Sequence, residues 1–392
     1  MIDNTGNFGI PLSIPSLGEK EAQYVTECLQ DGWISSAGPF VTRFEKEFSA
    51  YVGVEHAVAL SSGTAALHLS LLVCGLTSEH EVFVPTLTFA ATANAVAYTG
   101  ATPIFVDCDS NLQMSPSHLI HIISTHYNWD GKNLCNKITN RLAKALVPTH
   151  IIGYACDMDT LLEISQKYQL IIIEDACEGL GVKYKGQHLG QFGKLACFSF
   201  NGNKIISSGS GGMIVTQDKQ LAQRCRYLST QAKDNPIEYE HNEIGFNYRL
   251  SNVLSALGCA QLEKLDSYIF KKKEIAAIYN TAFQNIEGIE TIKTPDWCDN
   301  SYWLYTILID EKKFGRSNRD ILYCLLEKKI QTRPLWQPLH LSKAYQHLTS
   351  GFSENFHSAE NIHKKALSLP CSVGIKNFQV ENVIEEILKL KI

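Results

Sequence analysis

The chain has 392 residues, 45% of them apolar, which is enough to bury a large core and to hold two domains in one globular chain. A net charge of −5 gives no attraction to nucleic acid or an anionic membrane, and no apolar run approaches the roughly 20 residues of a spanning helix. The start, MIDNTGNFGIPLS, lacks the charged and apolar regions of a secretory leader, so a soluble, cytoplasmic protein is expected.

The first predicted helix carries Tyr24, Val25 and Cys28 at helical spacing and breaks at Gly32. GWISSAGPFV, residues 32–41, follows as a hydroxyl-rich loop with a Gly38-Pro39 turn. Phe40, Phe44 and Phe48 then recur every four residues as one helix face. His56–Leu60 reads as a short strand, and SSGTAALHLSLL opens a helix with Gly63 and Thr64 in its first turn. Backbone N–H groups and the helix dipole make such an end an anion site, although Ser and Thr are also routine caps.

Three strand-then-helix units come next: EVFVP into 88–98, TPIFVD into 115–123, and AKALVPTH into 158–168. Phe89 stands at a strand end, where an aromatic can stack on a planar ring or simply fill the core. Residues 126–141, HYNWDGKNLCNKITNR, are polar and irregular and read as a surface excursion. The aliphatic run 170–173 suits a central parallel strand covered on both faces, and it ends in Glu174 and Asp175. Open α/β sheets bind ligands at such strand ends, where a carboxylate can keep a pyridine nitrogen protonated. The alternative for Asp175 is a helix N-cap ahead of 176–180. The 12 cysteines are scattered singly and read as small buried hydrophobes in a reducing compartment. Cys177 is among them, since no His is spaced to activate it.

Lys204 sits between strands at 195–200 and Gly212–Thr216, in a linker of Asn, Gly and Ser. A partly desolvated amine on such a loop can act as a nucleophile toward a carbonyl, whereas the plain alternative is a solvated surface lysine. Seven strands are counted in all, and their alternation with helices argues for a largely parallel sheet with helices on both faces. A charged helix at 219–227 leads to the polar loop DNPIEYEHNEIGFNYRLSNV, 234–253, which is long for a compact domain. Ser251 then caps a long helix with one apolar face through Ile269. The domain boundary is expected at 266–267. Residues 267–392 read as a smaller α/β layer with a strand at 302–309, a helix at 318–327, a segment at 331–336 and a helix at 379–390.

The acid-ended strand, the FSF with a lysine five residues past its Ser, and the GSGG strand start resemble the pyridoxal-phosphate sugar aminotransferases of the DegT and StrS type. The resemblance runs from the first residues to the last. It implies the aspartate-aminotransferase fold, fold type I, with a seven-stranded mostly parallel sheet in a large domain and a smaller α/β C-terminal domain. It implies pyridoxal 5'-phosphate as cofactor, with Lys204 as the Schiff-base lysine and Asp175 as the pyridinium partner. Ser199, Gly63 and Thr64 would serve the phosphate, Phe89 would stack on the ring, and Glu178 would adjoin the cofactor. The match of GFNYRLSN implies a homodimer with shared sites, in which Asn247 reaches the neighbour's phosphate. An Asn that only turns the loop is the alternative. Trp33, Ser35 and Ser36 are candidates for the sugar nucleotide, and Arg333 and His340 of RPLWQPLH for anionic substrate groups. Each could instead be a plain surface residue. No metal is expected.

The resemblance implies transfer of an amino group from L-glutamate to C4 of a nucleotide-linked 4-keto-6-deoxy sugar destined for surface glycans. Glu178, where many relatives have Gln, and Ser210, where many have an acid, point to one subgroup. Within it the favoured substrate is UDP-2-acetamido-4-keto-2,4,6-trideoxy-hexose, on the route to bacillosamine, and the alternative is GDP-4-keto-6-deoxymannose, the perosamine branch. A sugar dehydratase on the same fold would need Lys204 replaced. A non-catalytic nucleotide-sugar-binding protein would not need Asp175, Ser199 and Lys204 together.

Overall fold

Seven short apolar strands build the main sheet of the computed structural model, which describes residues 8–235, 237–348 and 354–392. They are β1 (His56–Leu60), β2 (His80–Pro85), β3 (Thr102–Val106), β4 (Leu142–Leu146), β5 (Ile171–Asp175), β6 (Leu195–Ser199) and β7 (Gly212–Thr216). Their order is β1-β7-β6-β5-β4-β2-β3, with β7 antiparallel to both neighbours and β2 through β6 parallel. Successive side chains of a strand point to opposite faces, so Ala57 and Ala59 join one core with Phe44 and Phe48. Val58 and Leu60 join the other, with Leu67 and Leu69. Burial on both faces is why these strands read as unbroken apolar runs.

Helices α1 (Glu19–Asp31) and α2 (Pro39–Val52) precede β1, and α3 (Gly63–Val73), α4 (Ala91–Tyr98), α5 (Pro116–His126), α6 (Met158–Tyr168) and α7 (Lys219–Ser229) follow strands along the chain. Residues 126–141 differ from the surface excursion expected of them. Tyr127–Trp129 and Leu134–Asn136 form an antiparallel hairpin joined to β4 through Cys135 and Leu142, extending the sheet to nine strands among the described residues. The cause is the buried carboxylate of Glu81. It accepts hydrogen bonds from Tyr127 Oη at 2.5 Å, Asn136 Nδ2 at 2.9 Å and Thr139 Oγ1 at 2.7 Å. The polar residues of the segment therefore turn inward, to satisfy a group that would be costly to leave unpaired.

The long helix expected after Ser251 is two, α8 (Asn252–Leu262) and α9 (Leu265–Phe283). Between them Glu263 accepts from Arg43 at 2.8 Å, while Lys264 donates to Glu21 at 2.8 Å. The expected 266–267 boundary lies inside α9, which carries the chain to a second sheet of β8 (Ile289–Thr291), β9 (Tyr305–Ile309) and β10 (Ala366–Leu369), antiparallel in that order. The strand expected from 302 begins at Tyr305, and residues 301–303 ahead of it pack on Gly153, whose carbonyl accepts from Ser301 N at 3.0 Å. Among the described residues no helix is long and apolar enough to cross a membrane.

Candidate active site

Parallel pairing puts Cys197 of β6 opposite Asp175 of β5, and Ser199 faces Gly212 at the start of β7. The ends of three neighbouring strands thus meet at one edge of the sheet. They open onto a cavity of about 330 Å³ lined by Gly63, Thr64, Phe89, Asp175, Ser199 and Lys204, among others. Asp175 is 3% exposed. Its Oδ2 accepts from Thr92 Oγ1 at 2.7 Å and its Oδ1 from the Cys177 amide at 3.2 Å. Residues 176–181 form turns rather than a helix, so Asp175 caps no helix and its carboxylate is presented to the cleft.

Lys204 is not a solvated surface lysine. Its side chain is 14% exposed, with Nζ 3.5 Å from Glu178 Oε1 and 3.9 Å from the ring centroid of Trp303. Glu178 Oε2 accepts from the Ile152 amide at 2.9 Å. Burial pushes the Glu178 carboxyl up to about 7, against the opposing pull of the Lys204 charge and the Ile152 N–H. Burial likewise drives the Cys177 thiol well above its ordinary value, which keeps it protonated and fits a filling role.

Ser62 caps α3, its Oγ accepting from Ala65 N at 3.0 Å, and the amides of Gly63 and Thr64 stand at the first turn, where helices have no internal acceptors. A Cβ on Gly63 would lie 2.7 Å from Cys177 Sγ and 3.0 Å from Ser199 Cβ, so only glycine allows this close approach. Phe89, 57% exposed, forms part of the cleft wall. Ser199 Oγ accepts from Asn201 N at 3.4 Å, and Ser210 Oγ donates to the Ser61 carbonyl at 2.7 Å.

Six other predicted site residues do not reach this cavity within the chain. Trp33, Ser35 and Ser36 are exposed on a loop pinned to the start of α8, where Asn252 donates to the carbonyls of Trp33 at 2.7 Å and Ser35 at 2.6 Å. Arg333 is exposed, and its backbone pairs with Ser368. His340 Nδ1 lies 2.7 Å from Thr86 Oγ1 and its ring stacks on Phe356 at 4.1 Å. Asn247 is exposed on this chain, bridged to Thr230. Conversely, Thr92 and Trp303 belong to the cleft and were not singled out from the sequence.

Residues 15–388 match the DegT/DnrJ/EryC1/StrS aminotransferase family. The chain belongs to that family. It is 39% identical over 382 residues to the GDP-perosamine synthase of Escherichia coli O157:H7, covering 96% of this chain and 97% of that one. It is 36% identical over 376 residues to the GDP-perosamine synthase of Caulobacter vibrioides, with 96% of each chain covered. The sugar aminotransferase Spr1654 of Streptococcus pneumoniae in its PLP-form superposes with a TM-score of 0.86 at 25% identity, over 97% of this chain and 98% of that one.

The fold is therefore type I, and the protein is a pyridoxal-phosphate-dependent sugar aminotransferase. The cleft fits that cofactor. A helix start without a side chain at Gly63 suits a phosphate, a buried carboxylate at Asp175 suits a ring nitrogen, and an exposed aromatic and an amine line the same cleft.

Proposed function

We propose that this aminotransferase moves an amino group from L-glutamate to C4 of GDP-4-keto-6-deoxymannose, the reaction of a GDP-perosamine synthase. The observation that carries the reading is the likeness to two such synthases, 39% and 36% identical over nearly the whole of both chains. This replaces the UDP-linked acetamido sugar that the resemblance first favoured.

Pyridoxal phosphate, when bound, supplies the electron sink for removing a proton next to nitrogen. In this reading the amides of Gly63 and Thr64 and the Ser199 hydroxyl hold its phosphate, and Phe89 covers the ring. Asp175, braced by Thr92, holds a positive charge at the ring nitrogen. Lys204 Nζ would anchor the cofactor and, once free, would give and take a proton in the cleft, a positioned acid–base role that contributes about 10²–10⁴-fold. Glu178, at 3.5 Å, is the carboxyl to which that amine can pass a proton.

The enzyme is further read as a homodimer with shared sites. Asn247 lies outside its own cavity, on a loop whose Ile237, Tyr239 and Ile244 are more than four-fifths exposed, Tyr239 at 87%. Apolar side chains that exposed are suited to a second subunit.

Purified protein given L-glutamate and either nucleotide sugar, with products followed by mass spectrometry, tests the substrate. Amination of the GDP sugar well ahead of the UDP-acetamido sugar is expected, and the reverse preference overturns the reading. Lys204→Ala should fold normally yet lose transamination and the visible absorbance of the bound cofactor.

A further inference from the structure

Lys272 is a buried lysine that the chemistry above does not use. It is 2% exposed, and its Nζ donates to the carbonyls of Trp303 at 2.8 Å and Cys371 at 2.9 Å, with Cys371 Sγ at 3.5 Å. No carboxylate stands among these partners. Lysine is almost never fully buried without a charge partner, so a chain that keeps one there is holding something in place.

What it holds is Trp303. The indole face of that residue lies over Lys204 Nζ at 3.9 Å, and Nε1–H donates to the Asn203 carbonyl at 2.7 Å, next to Lys204 in the chain. The backbone on both sides is strained. Tyr302 has φ +48°, and Ile152, a β-branched residue, has φ +51°. Such conformations persist only where the surroundings over-determine them. Between these two arms the fit is close, for a Cβ on Gly153 would lie 2.6 Å from Trp303 N. One turn, Ile151–Gly153, thus touches both neighbours of the Lys204 amine. The Ile152 amide grips Glu178 and Gly153 abuts Trp303.

We propose that Trp303 is a positioning residue for this reaction, its indole face steadying the charged form of the Lys204 amine against the cleft wall. The proposal rests on the reading of Lys204 as the cofactor-bearing lysine. The titratable groups facing that amine are Glu178 and Cys177, both from the turn after β5, and Asp175 acts on Glu178 from the strand end. Its own loop contributes Asn201 and Asn203 to the same cleft, and neither carries a charge. The ring of Trp303 is the group set over it. A ring face attracts a cation in the order Trp, then Tyr or Phe, and an aliphatic side chain of similar bulk does not.

The test uses the full chain freed of cofactor, as wild type, Trp303→Phe and Trp303→Leu. Each is labelled with acetic anhydride across a pH series, and the Lys204 peptide is quantified by mass spectrometry. The midpoint of Lys204 reactivity should fall from wild type to Phe to Leu, by about one pH unit for Leu, a tenfold shift toward the neutral amine. If Trp303 only fills space, the midpoint stays where it was, or rises as water enters, and either result overturns the proposal. Should the Leu variant fail to fold, the Phe variant decides alone by the same criterion. A Lys204→Ala control separates the two readings. If the visible band on adding pyridoxal phosphate survives in that variant, the assignment of Lys204 fails. If the band is lost there while the Trp303 variants leave the midpoint unmoved, only the role of Trp303 fails.

Discussion

Burial raises the Glu178 carboxyl toward neutrality, and a glutamine in its place would have no such proton to release. Its ordinary value is 4.5 and burial raises it to about 7, so between those values an unfolded chain has released a proton that the native chain keeps. The unfolded state then binds fewer protons, and stability falls as pH rises through that window and levels off above it. Glu178→Gln escapes this loss. In urea titrations of the cofactor-free protein, the variant should gain on wild type by on the order of 3 kcal/mol between the lower and upper ends of the window. A constant difference across pH would show that Glu178 ionises normally. The meeting of Lys204 and Asp175 in one cleft was readable from the sequence because their signals are local: an aliphatic run ending in acids, and a lysine alone among Gly, Ser and Asn. Trp303 was not, because its partner Asn203 is 100 residues away and nothing within SYWLYTILI marks the ring as different from core.

Helix α3 meets the cofactor cleft with its first turn, and its packing there leaves no spare volume. Gly63→Ala forces a methyl group against Cys177 Sγ and Ser199 Cβ, so α3 or the end of β6 has to move. Affinity for pyridoxal phosphate should drop by roughly tenfold or more, about 1.4 kcal/mol, while the far-UV circular dichroism stays native. Equilibrium dialysis checks this, and an unchanged Kd would remove the first turn of α3 from the phosphate site. The seven strands of the main sheet were readable, since burial on two faces writes itself as short aliphatic runs, whereas β8 and β10 of the second sheet were not singled out. The hairpin at 127–136 was hidden because its polar residues serve Glu81 within the fold, and polarity in a sequence does not say which way a side chain points. The break between α8 and α9 was hidden for a related reason. Apolar spacing continues across it, and the cause is ion pairing with α1 and α2.

If each site takes Asn247 from a second chain, dilution through the dimer dissociation constant should release cofactor and activity together. Light scattering at assay concentration follows the mass, and a fully active monomer would refute the shared site. The connectivity of the main sheet has a consequence for how the protein comes into being. β1 is hydrogen-bonded to β7, with His56 opposite Thr216, so the sheet cannot close at that edge until the chain has been made well past its midpoint. Contacts so remote in sequence form slowly, because long loops must close first. A nascent chain halted between Thr216 and Lys272 already contains Asp175 and Lys204, but neither the indole that covers the amine nor the buried lysine holding it has yet been made. Completion of the wall around the amine is then a late event in biogenesis, later than the making of the strand end and loop that carry Asp175 and Lys204.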